Sequence, residues 1–320
     1  MLGLAFPQSK IADSDCFPIS QLELTDYGSG IVRFHNAIEV DENLVLPYVD
    51  ERATFADCGI SVKEDNGNRW AEDFSGNVIE NGLEMLSEQA LRLGSDPDHQ
   101  PVQDDTPQEV ANFFFKCEEV IYKSLMRYID MHPMILNTLW WRNRGHVLKY
   151  SPNGILGEHN DNDSNYRVID GERYPTSRPQ AIYQVLACII YLNDNFEGGE
   201  MYFPYADVEY HPVKGDLVFF PQNYVGTHGV RRITAGERYL YLANFGQGTD
   251  KTVEIHEPDD VSAPWVSPVY MPWIFQDYEK YYNSGYSEGA QRHTDRHELN
   301  PVSQHRPLEG LPEGKLFPYE

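Results

Sequence analysis

The strongest constraint on the fold of this chain is a series of short β-branched and aromatic runs, punctuated by Gly, Pro and Asn. Such runs are typical of strands, and their breaks are typical of turns. A chain with many short strands folds into a sandwich or a barrel. The runs are WWRNRGHVLKYS, QAIYQVLACIIYLND, GEMYFP, GDLVFFP and RYLYLANF.

A long helix is predicted directly before these strands, in TPQEVANFFFKCEEVIYKSLMRYIDMHP. Thr106 and Glu109 have the spacing of a capping box, and Pro107 would take the first helical position. Apolar residues recur every three or four positions, which predicts one face packed on a sheet. The helix and the strands together predict an α+β domain that is mainly β. The apolar positions are Val110, Phe113, Phe114, Cys117, Val120, Ile121 and Leu125.

The remaining segments give weaker patterns. Residues 30–40 have strand character, and DENLVLPYVDE after them is predicted to be a helix. Residues 60–105 are polar, which predicts loops with a short helix near Leu83–Leu93. We assign residues 1–248 to one domain with a core at about 146–246. Residues 249–320 are predicted to be a C-terminal extension that wraps the core or is partly disordered.

Composition excludes several kinds of partner. The 320 residues include 25 basic and 50 acidic side chains, a formal charge of −25. Nucleic acid and anionic membranes attract clustered Lys and Arg, so neither is expected as a partner. The start lacks a signal-peptide pattern, no apolar run could span a membrane, and the four cysteines show no CxxC spacing. We expect a cytoplasmic protein with inert thiols, either a monomer or a homodimer.

The segment GILGEHNDNDSNYRVIDGE, residues 154–172, indicates a metal site. Asp161, Asp163, Asn165 and Glu172 match positions 1, 3, 5 and 12 of a calcium loop. That loop requires Gly at its sixth position, where this chain has Tyr166, and it requires flanking helices. The preceding KYSPNGILG is rich in Pro and Gly and cannot form one. The calcium pattern is therefore only partly matched.

An iron site is the alternative interpretation of the same segment. His159 and Asp161 would share one face of an extended strand. Two histidines and one carboxylate hold Fe(II) and leave positions open for other ligands. A third ligand would have to come from a distant strand, and His228 in YVGTHGV is the candidate. His-x-Asp is common by chance, so this pattern alone is a weak signal.

Further motifs follow in order, namely LKYSPNGILGEHND, YLNDNFEGGEMYFP, KGDLVFFP and HGVRRITAGERYLYLANF. With them the chain resembles the prolyl 4-hydroxylase-like, Fe(II)- and 2-oxoglutarate-dependent dioxygenases, in outline over Gly30–Phe245 and specifically over Leu148–Phe245. The resemblance implies a double-stranded β-helix, a jelly roll of two sheets buttressed by helices. It also implies that His159, Asp161 and His228 are the iron ligands.

The resemblance implies roles for four more residues. Arg238, ten positions after His228, would grip the carboxylate of 2-oxoglutarate with two hydrogen bonds. The hydroxyl of Tyr191 would help to hold that carboxylate, and Tyr150 would lie close to the iron and the co-substrate. Thr227 would bond a ligand or shape the turn beside His228.

The chain departs from the family pattern at two positions. Leu156 stands where relatives often have an aromatic residue, and Asn244 stands where they often have Trp, which puts part of the substrate pocket in doubt. Arg231 and Arg232 are interpreted as residues of the rim or the surface. A further pair with helical metal-site spacing is interpreted as part of a solvated segment, namely His293 and His297.

The implied reaction is hydroxylation of a C–H bond, with Fe(II), 2-oxoglutarate, O2 and ascorbate as the implied cofactors and succinate and CO2 as co-products. A peptidyl proline is the favoured substrate. The alternative is a free amino acid, a lysyl side chain or another small metabolite, with the loop Asp161–Gln180 as a lid. A metal-binding or structural jelly roll without activity is the non-enzyme alternative. The arginines of that loop either receive an acidic ligand or, as the favoured interpretation, belong to a solvated loop, namely Arg167, Arg173 and Arg178.

Overall fold

The computed structural model describes residues 22–54, 60–73, 78, 90–94, 100–143, 145–162, 166–169, 172–175, 183–247, 269–271 and 274–289. The helices are α1 (Glu42–Arg52), α2 (Gln108–Met131) and α3 (Ile274–Asn283). The strands are β1 (Leu24–Gly28), β2 (Ile31–Phe34), β3 (Ile60–Asp65), β4 (Asn68–Asp73), β5 (Leu91–Leu93), β6 (Trp141–Arg142), β7 (His146–Tyr150), β8 (Leu156–His159), β9 (Tyr166–Ile169), β10 (Glu172–Pro175), β11 (Gln184–Tyr191), β12 (Glu197–Gly198), β13 (Met201–Phe203), β14 (Val208–Tyr210), β15 (Leu217–Pro221), β16 (His228–Val230), β17 (Ile233–Ala235), β18 (Arg238–Gly246) and β19 (Val269–Tyr270).

Two antiparallel sheets form the core of the fold. The larger sheet has the order β1-β2-β15-β11-β18-β6-β19, with β7 beside β18 and β5 beside β7, and the smaller sheet has the order β14-β13-β16-β8. From β7 onward the chain crosses repeatedly between them: β7, β11, β15 and β18 join the larger sheet, and β8, β13, β14 and β16 join the smaller. This alternation is a jelly roll, which confirms the predicted double-stranded β-helix.

The larger sheet is buried on both faces because α2 covers one face and the smaller sheet covers the other. Successive side chains of a strand point to opposite faces. On β18, Tyr239 and Tyr241 join the apolar cluster around α2, whereas Leu240 joins the cluster between the sheets. The same alternation directs Arg238, at the start of β18, into the space between the sheets.

The apolar stripe of α2 is buried as predicted, but the capping box is wrong. The helix begins after Pro107, which is its N-cap and makes no side-chain capping bond. The hydroxyl of Thr106 instead lies 2.7 Å from the Tyr48 hydroxyl and accepts the Gln103 amide at 2.7 Å. A hydroxyl committed to these two partners is not available to the first turn of the helix.

The prediction of loops and a short helix over residues 60–105 is wrong for residues 60–73 and 91–93, whereas residues 100–105 form bends and turns as expected. β3 and β4 form a hairpin, and the turn residues Asn66 and Gly67 have φ values of 50° and 80°. Asn-Gly is the sequence that such a turn favours. Leu91–Leu93, at the end of the expected helix, is strand β5 against β7. Residues 83–89 lie outside the described chain.

The described C-terminal residues pack on the core. β19 extends the larger sheet beside β6. α3 lies against α2, where the hydroxyls of Tyr278 and Ser287 donate to Asp130 at 3.2 Å and 2.5 Å. Two of the four cysteines are described, and both Cys117 and Cys188 are buried free thiols. Within the described chain, none of the helices has the length and apolar character of a membrane span.

Candidate metal centre

Three side chains with metal-binding atoms meet where β8 and β16 lie side by side. β8 ends at His159 and β16 begins at His228, and these cross-strand partners have ring centroids 4.4 Å apart. Asp161 lies in the turn after β8, not in the strand that the sequence predicted. One ligand atom from each of the three residues lies within 4.8 Å of the others. This spacing suits a single shared cation.

Backbone carbonyls fix the orientation of both imidazole rings. Nδ1 of His159 donates to the Gly157 carbonyl at 2.9 Å, and Nδ1 of His228 donates to the Gly226 carbonyl at 2.9 Å. A carbonyl oxygen only accepts, so Nδ1 carries a proton in each ring and Nε2 is the atom left for a ligand. Hydrogen bonds of this kind orient metal-binding histidines.

The electrostatics of the cluster favour an ionised Asp161 and a neutral His228. Burial by itself raises the pKa of Asp161, but the two histidines and Gln222 outweigh burial and hold the pKa at about 2. Burial lowers the pKa of His228. Burial also acts to lower the pKa of His159, but the hydrogen bond and charge of Asp161 outweigh it, so that this pKa is raised. Carboxylate and imidazole are the donor types of a facial Fe(II) site.

One side of the cluster is shielded by aromatic rings. The rings of Phe203 and Phe220 lie 5.7 Å and 4.7 Å from the ring of His228, measured between centroids. His228 is 4% exposed, whereas the side chain of His159 is 32% exposed. A ligand would therefore approach the cluster from the side of His159.

Arg238 is a fully buried cation between the two sheets. It is 0% exposed, and among the described residues its guanidinium has no carboxylate partner and no hydrogen bond of good geometry, although it interacts with the nearby Tyr191 hydroxyl. The guanidinium lies 5.3 Å from the ring centroid of Tyr150 and 5.4 Å from that of Tyr191. A buried charge without an anionic partner is costly, so an anion placed here would be stabilised. The carboxylate of 2-oxoglutarate fits that requirement.

The structure places Tyr191 beside Arg238, but its hydroxyl has a partner that sequence reasoning missed. The Tyr191 and Tyr210 hydroxyls lie 2.8 Å apart, and both approach the sulfur of Met201 at 3.2 Å and 3.5 Å. The ring of Tyr210 also contacts Tyr27, stacked at 5.7 Å between centroids, and the guanidinium of Arg33 at 4.9 Å from its centroid. The surroundings of Arg238 between the sheets therefore include a pair of hydrogen-bonded tyrosines.

The other predicted positions divide between the interior and the rim. Tyr150 is buried and is the cross-strand partner of Arg238. The hydroxyl of Thr227 donates to the Tyr224 carbonyl at 2.7 Å, so it shapes the turn that leads into β16. The two arginines after β16 are exposed, as expected of rim residues: Arg231 pairs with Glu209 at 2.7 Å, and Arg232 donates to the Asn153 carbonyl at 2.8 Å.

Gln222 contacts the metal-binding cluster, and the sequence did not indicate this. Its Nε2 donates to Asp161 Oδ2 at 3.0 Å and to Asn244 Oδ1 at 2.7 Å. Asn244 was noted only as a departure from the family pattern, and Gln222 carried no signal in GDLVFFPQNY. Gln222 follows β15 and Asn244 lies in β18, so their contact cannot be predicted from a local sequence pattern.

Parts of the predicted lid and of the calcium loop lie outside the described residues. These parts include Asp163, Asn165 and Arg178. The pair His293 and His297, near the C-terminus, also lies outside the described residues. Most of the described part of the lid consists of the antiparallel strands β9 and β10. In the backbone register, Arg167 lies opposite Tyr174, and Arg173 lies opposite Val168. Glu172, the last position of the calcium pattern, begins β10, whereas a calcium loop would lead into a helix there.

Comparison with known proteins gives a family match for the core. Residues 145–246 match the model of the 2OG-Fe(II) oxygenase superfamily. A curated relative from Acanthamoeba polyphaga mimivirus, named "Putative prolyl 4-hydroxylase", is 30% identical over 104 residues, which cover 29% of this chain and 40% of the relative. The chain thus matches less than half of the length of that relative.

Two solved structures of prolyl hydroxylases are similar at low identity. One is the viral collagen prolyl hydroxylase of Paramecium Bursaria Chlorella virus-1 in complex with 2-oxoglutarate, at 16% identity and TM-score 0.35, covering 52% of this chain and 84% of the other. The other is a Trichoplax adhaerens prolyl hydroxylase with a hypoxia inducible factor peptide fragment, at 16% identity and TM-score 0.38, covering 72% and 88%.

The superfamily name states the cofactor requirement of the matched segment, namely Fe(II) and 2-oxoglutarate, with O2 as the oxidant of an oxygenase. The jelly roll observed between β7 and β18 coincides with that segment, and the histidine and aspartate cluster lies inside it. Residues 145–246 of this chain therefore match the 2OG-Fe(II) oxygenase superfamily over the jelly roll that holds the cluster.

Proposed function

We propose that the protein is a 2-oxoglutarate-dependent dioxygenase that hydroxylates a peptidyl proline, a prolyl 4-hydroxylase-type reaction with succinate and CO2 as co-products. The observation that carries the proposal is the buried, unpaired guanidinium of Arg238 within the same inter-sheet space as His228. A site that only bound a metal would have no use for this cation, whereas a dicarboxylate co-substrate requires one.

Each residue of the cluster has a proposed role in binding Fe(II). His159 and His228 would bind Fe(II) through Nε2, and Asp161 would bind it through a carboxylate oxygen. When bound, iron with 2-oxoglutarate supplies the oxidation of the C–H bond. The protein orients the ligands, and Phe203 and Phe220 exclude water from the side of His228.

The far carboxylate of 2-oxoglutarate would pair with Arg238. Tyr191 and Tyr150 flank the guanidinium and would position that carboxylate without adding a competing charge. We assign Thr227 to the same pocket as the residue that shapes the turn before His228. The choice of a proline substrate rests on the names of the relatives, and ascorbate is proposed only as the reductant that keeps iron in the Fe(II) state.

The test is turnover of 2-oxoglutarate with Fe(II), in the presence and absence of proline-containing peptides and free amino acids. Mass spectrometry would detect the gain of one oxygen atom, and we expect it on peptidyl proline. A gain on a free amino acid would move the assignment to the small-metabolite alternative. No succinate with any substrate would favour the non-enzyme alternative.

A matched pair of variants locates the chemistry. Asp161→Ala should abolish succinate formation because it removes the anionic ligand. Glu158→Ala removes an exposed carboxylate from β8, the strand that precedes the turn with Asp161, and should leave succinate formation unchanged. Normal turnover in Asp161→Ala would overturn the proposal.

A further inference from the structure

Asp161 occupies a position that β8 does not support. The strand ends at His159, and Asp161 lies in the turn that follows. Ladder hydrogen bonds therefore fix the backbone at His159 but not two residues later. A carboxylate that must face a cation in one orientation needs another source of support.

Gln222 holds that turn at two points. Its carbonyl accepts the Asn162 amide at 3.1 Å, and its side-chain Nε2 donates to Asp161 Oδ2 at 3.0 Å. Gln222 is 0% exposed and directly follows β15, and its own amide donates to the Val185 carbonyl at 3.1 Å. The residue thus fastens the turn of the smaller sheet to the larger sheet.

Asn244 fixes the direction of the Gln222 side chain. Nε2 has two hydrogens, and its nearest acceptors are Asn244 Oδ1 at 2.7 Å and Asp161 Oδ2 at 3.0 Å. Gln184 Oε1 is farther, at 3.3 Å. The present orientation leaves Gln222 Oε1 without a partner among the described residues, but the reversed amide would turn that oxygen toward the Asp161 carboxylate, which only accepts, and this is the more unfavourable arrangement. Nε2 of Gln222, and not its Oε1, therefore faces Asp161.

We propose that Gln222 is a positioning residue that occupies Oδ2 of Asp161, so that the carboxylate presents only Oδ1 to the metal. Oδ1 is the oxygen that faces His159, at 3.3 Å from Nε2. A carboxylate that bound through both oxygens would take a coordination position that the co-substrate or O2 needs. The inference rests on the proposed function, in which Asp161 is an iron ligand.

The experiment compares Gln222→Met with Gln247→Met, the same change at an exposed glutamine after β18. Fe(II) and Co(II) are titrated anaerobically into each apoprotein, and the visible spectrum of the Co(II) form is recorded. Loss of an outer hydrogen bond to a ligand weakens metal binding by about 10–100-fold, which is the increase in dissociation constant expected for Gln222→Met. The Co(II) spectrum should change as well, because the ligation of the carboxylate changes.

Gln222→Asn provides the second variant in case Gln222→Met fails to fold. It keeps the amide but is one methylene shorter, so the donor falls short of Oδ2, and it should also weaken binding. The inference is overturned if both folded variants bind Co(II) like the wild type with an unchanged spectrum. A wild-type protein that binds neither metal would instead overturn the proposed function.

Discussion

Two fully buried arginines of the larger sheet stand in opposite electrostatic situations. Arg142 on β6 pairs with Glu118 of α2, whose carboxylate also accepts the Tyr241 hydroxyl at 2.5 Å and the Gly145 amide at 2.8 Å. Arg238 on β18 has no such anion among the described residues. Arg142 thus has an anionic partner, whereas Arg238 leaves a cation available for a ligand.

This contrast predicts opposite effects of the same substitution. Arg142→Met should lower the free energy of unfolding by about 3–5 kcal/mol, because it leaves the Glu118 charge buried and unpaired. Arg238→Met should raise it by about 1–3 kcal/mol, because it removes unsatisfied buried donors. Denaturant titration of the two metal-free variants measures both values.

The same Arg238→Met variant should lose the thermal stabilisation that 2-oxoglutarate gives to the metal-loaded wild type. Equal destabilisation by the two substitutions would contradict the interpretation of Arg238 as an unpaired cation. Retained stabilisation by 2-oxoglutarate would contradict its assignment as the carboxylate partner.

At the scale of elements, the contact of α2 with α3 contains a buried carboxyl group with only one of its oxygens hydrogen-bonded. Asp277 on α3 is 0% exposed, and its Oδ2 accepts the Tyr122 hydroxyl at 2.6 Å. Its Oδ1 makes no hydrogen bond with a described residue and lies 3.7 Å from the Lys280 ammonium. Burial raises the pKa of Asp277 above its ordinary value of 3.8. The ionised form is thus disfavoured in the folded protein.

The sign of the resulting pH dependence follows from the raised pKa. The stability that this group contributes is present below the ordinary pKa of 3.8 and is lost as pH rises through the higher folded pKa. Asp277→Asn remains neutral and keeps an acceptor for Tyr122. It should therefore be more stable than the wild type at neutral pH, by on the order of 1 kcal/mol.

Denaturant unfolding at neutral pH and near pH 4 measures this difference, which should shrink as the wild-type carboxyl group becomes protonated. Asp104→Asn, at an exposed position before α2, is the control. An advantage of Asp277→Asn that grew on acidification would show that the buried carboxylate is not the cause.

For the whole molecule, the described C-terminal residues make contacts that the jelly roll alone lacks. Ile274, Tyr278 and Tyr281 of α3 are each 0% exposed and belong to the apolar cluster around α2. Burial of one such side chain contributes about 1.5–3 kcal/mol. The predicted boundary at residue 248 would therefore cut through a shared core.

A chain that ends at residue 248 should be less stable than the full chain by on the order of 5 kcal/mol. A chain that ends at residue 289 keeps the Asp130 contacts of Ser287 and Gly289 and should retain most of the stability. Denaturant unfolding of the three chains provides the comparison. Equal stability of the shortest chain would show that residues 249–320 do not contribute to the folded core.

The sequence predicted most of the elements around the site because their patterns are local. The alternating runs of β11 and β18 and the stripe of α2 follow from side-chain periodicity. The capping box failed because Thr106 bonds Tyr48, a residue far away in the chain. The hairpin of β3 and β4 was missed although its Asn-Gly turn was visible, because polar composition was taken to mean loop.

By itself, the sequence determined the strand-rich core, the helix beside it and the residue types that indicated iron at His159, Asp161 and His228. The tertiary structure decided that Arg238 is buried without an anion, that Tyr191 is bonded to Tyr210, and that Gln222 holds Asp161. The physical reason is that periodicity encodes which way a side chain faces, whereas a partner from a distant strand depends on the packing of the two sheets. Those partners leave no pattern in the sequence around either residue.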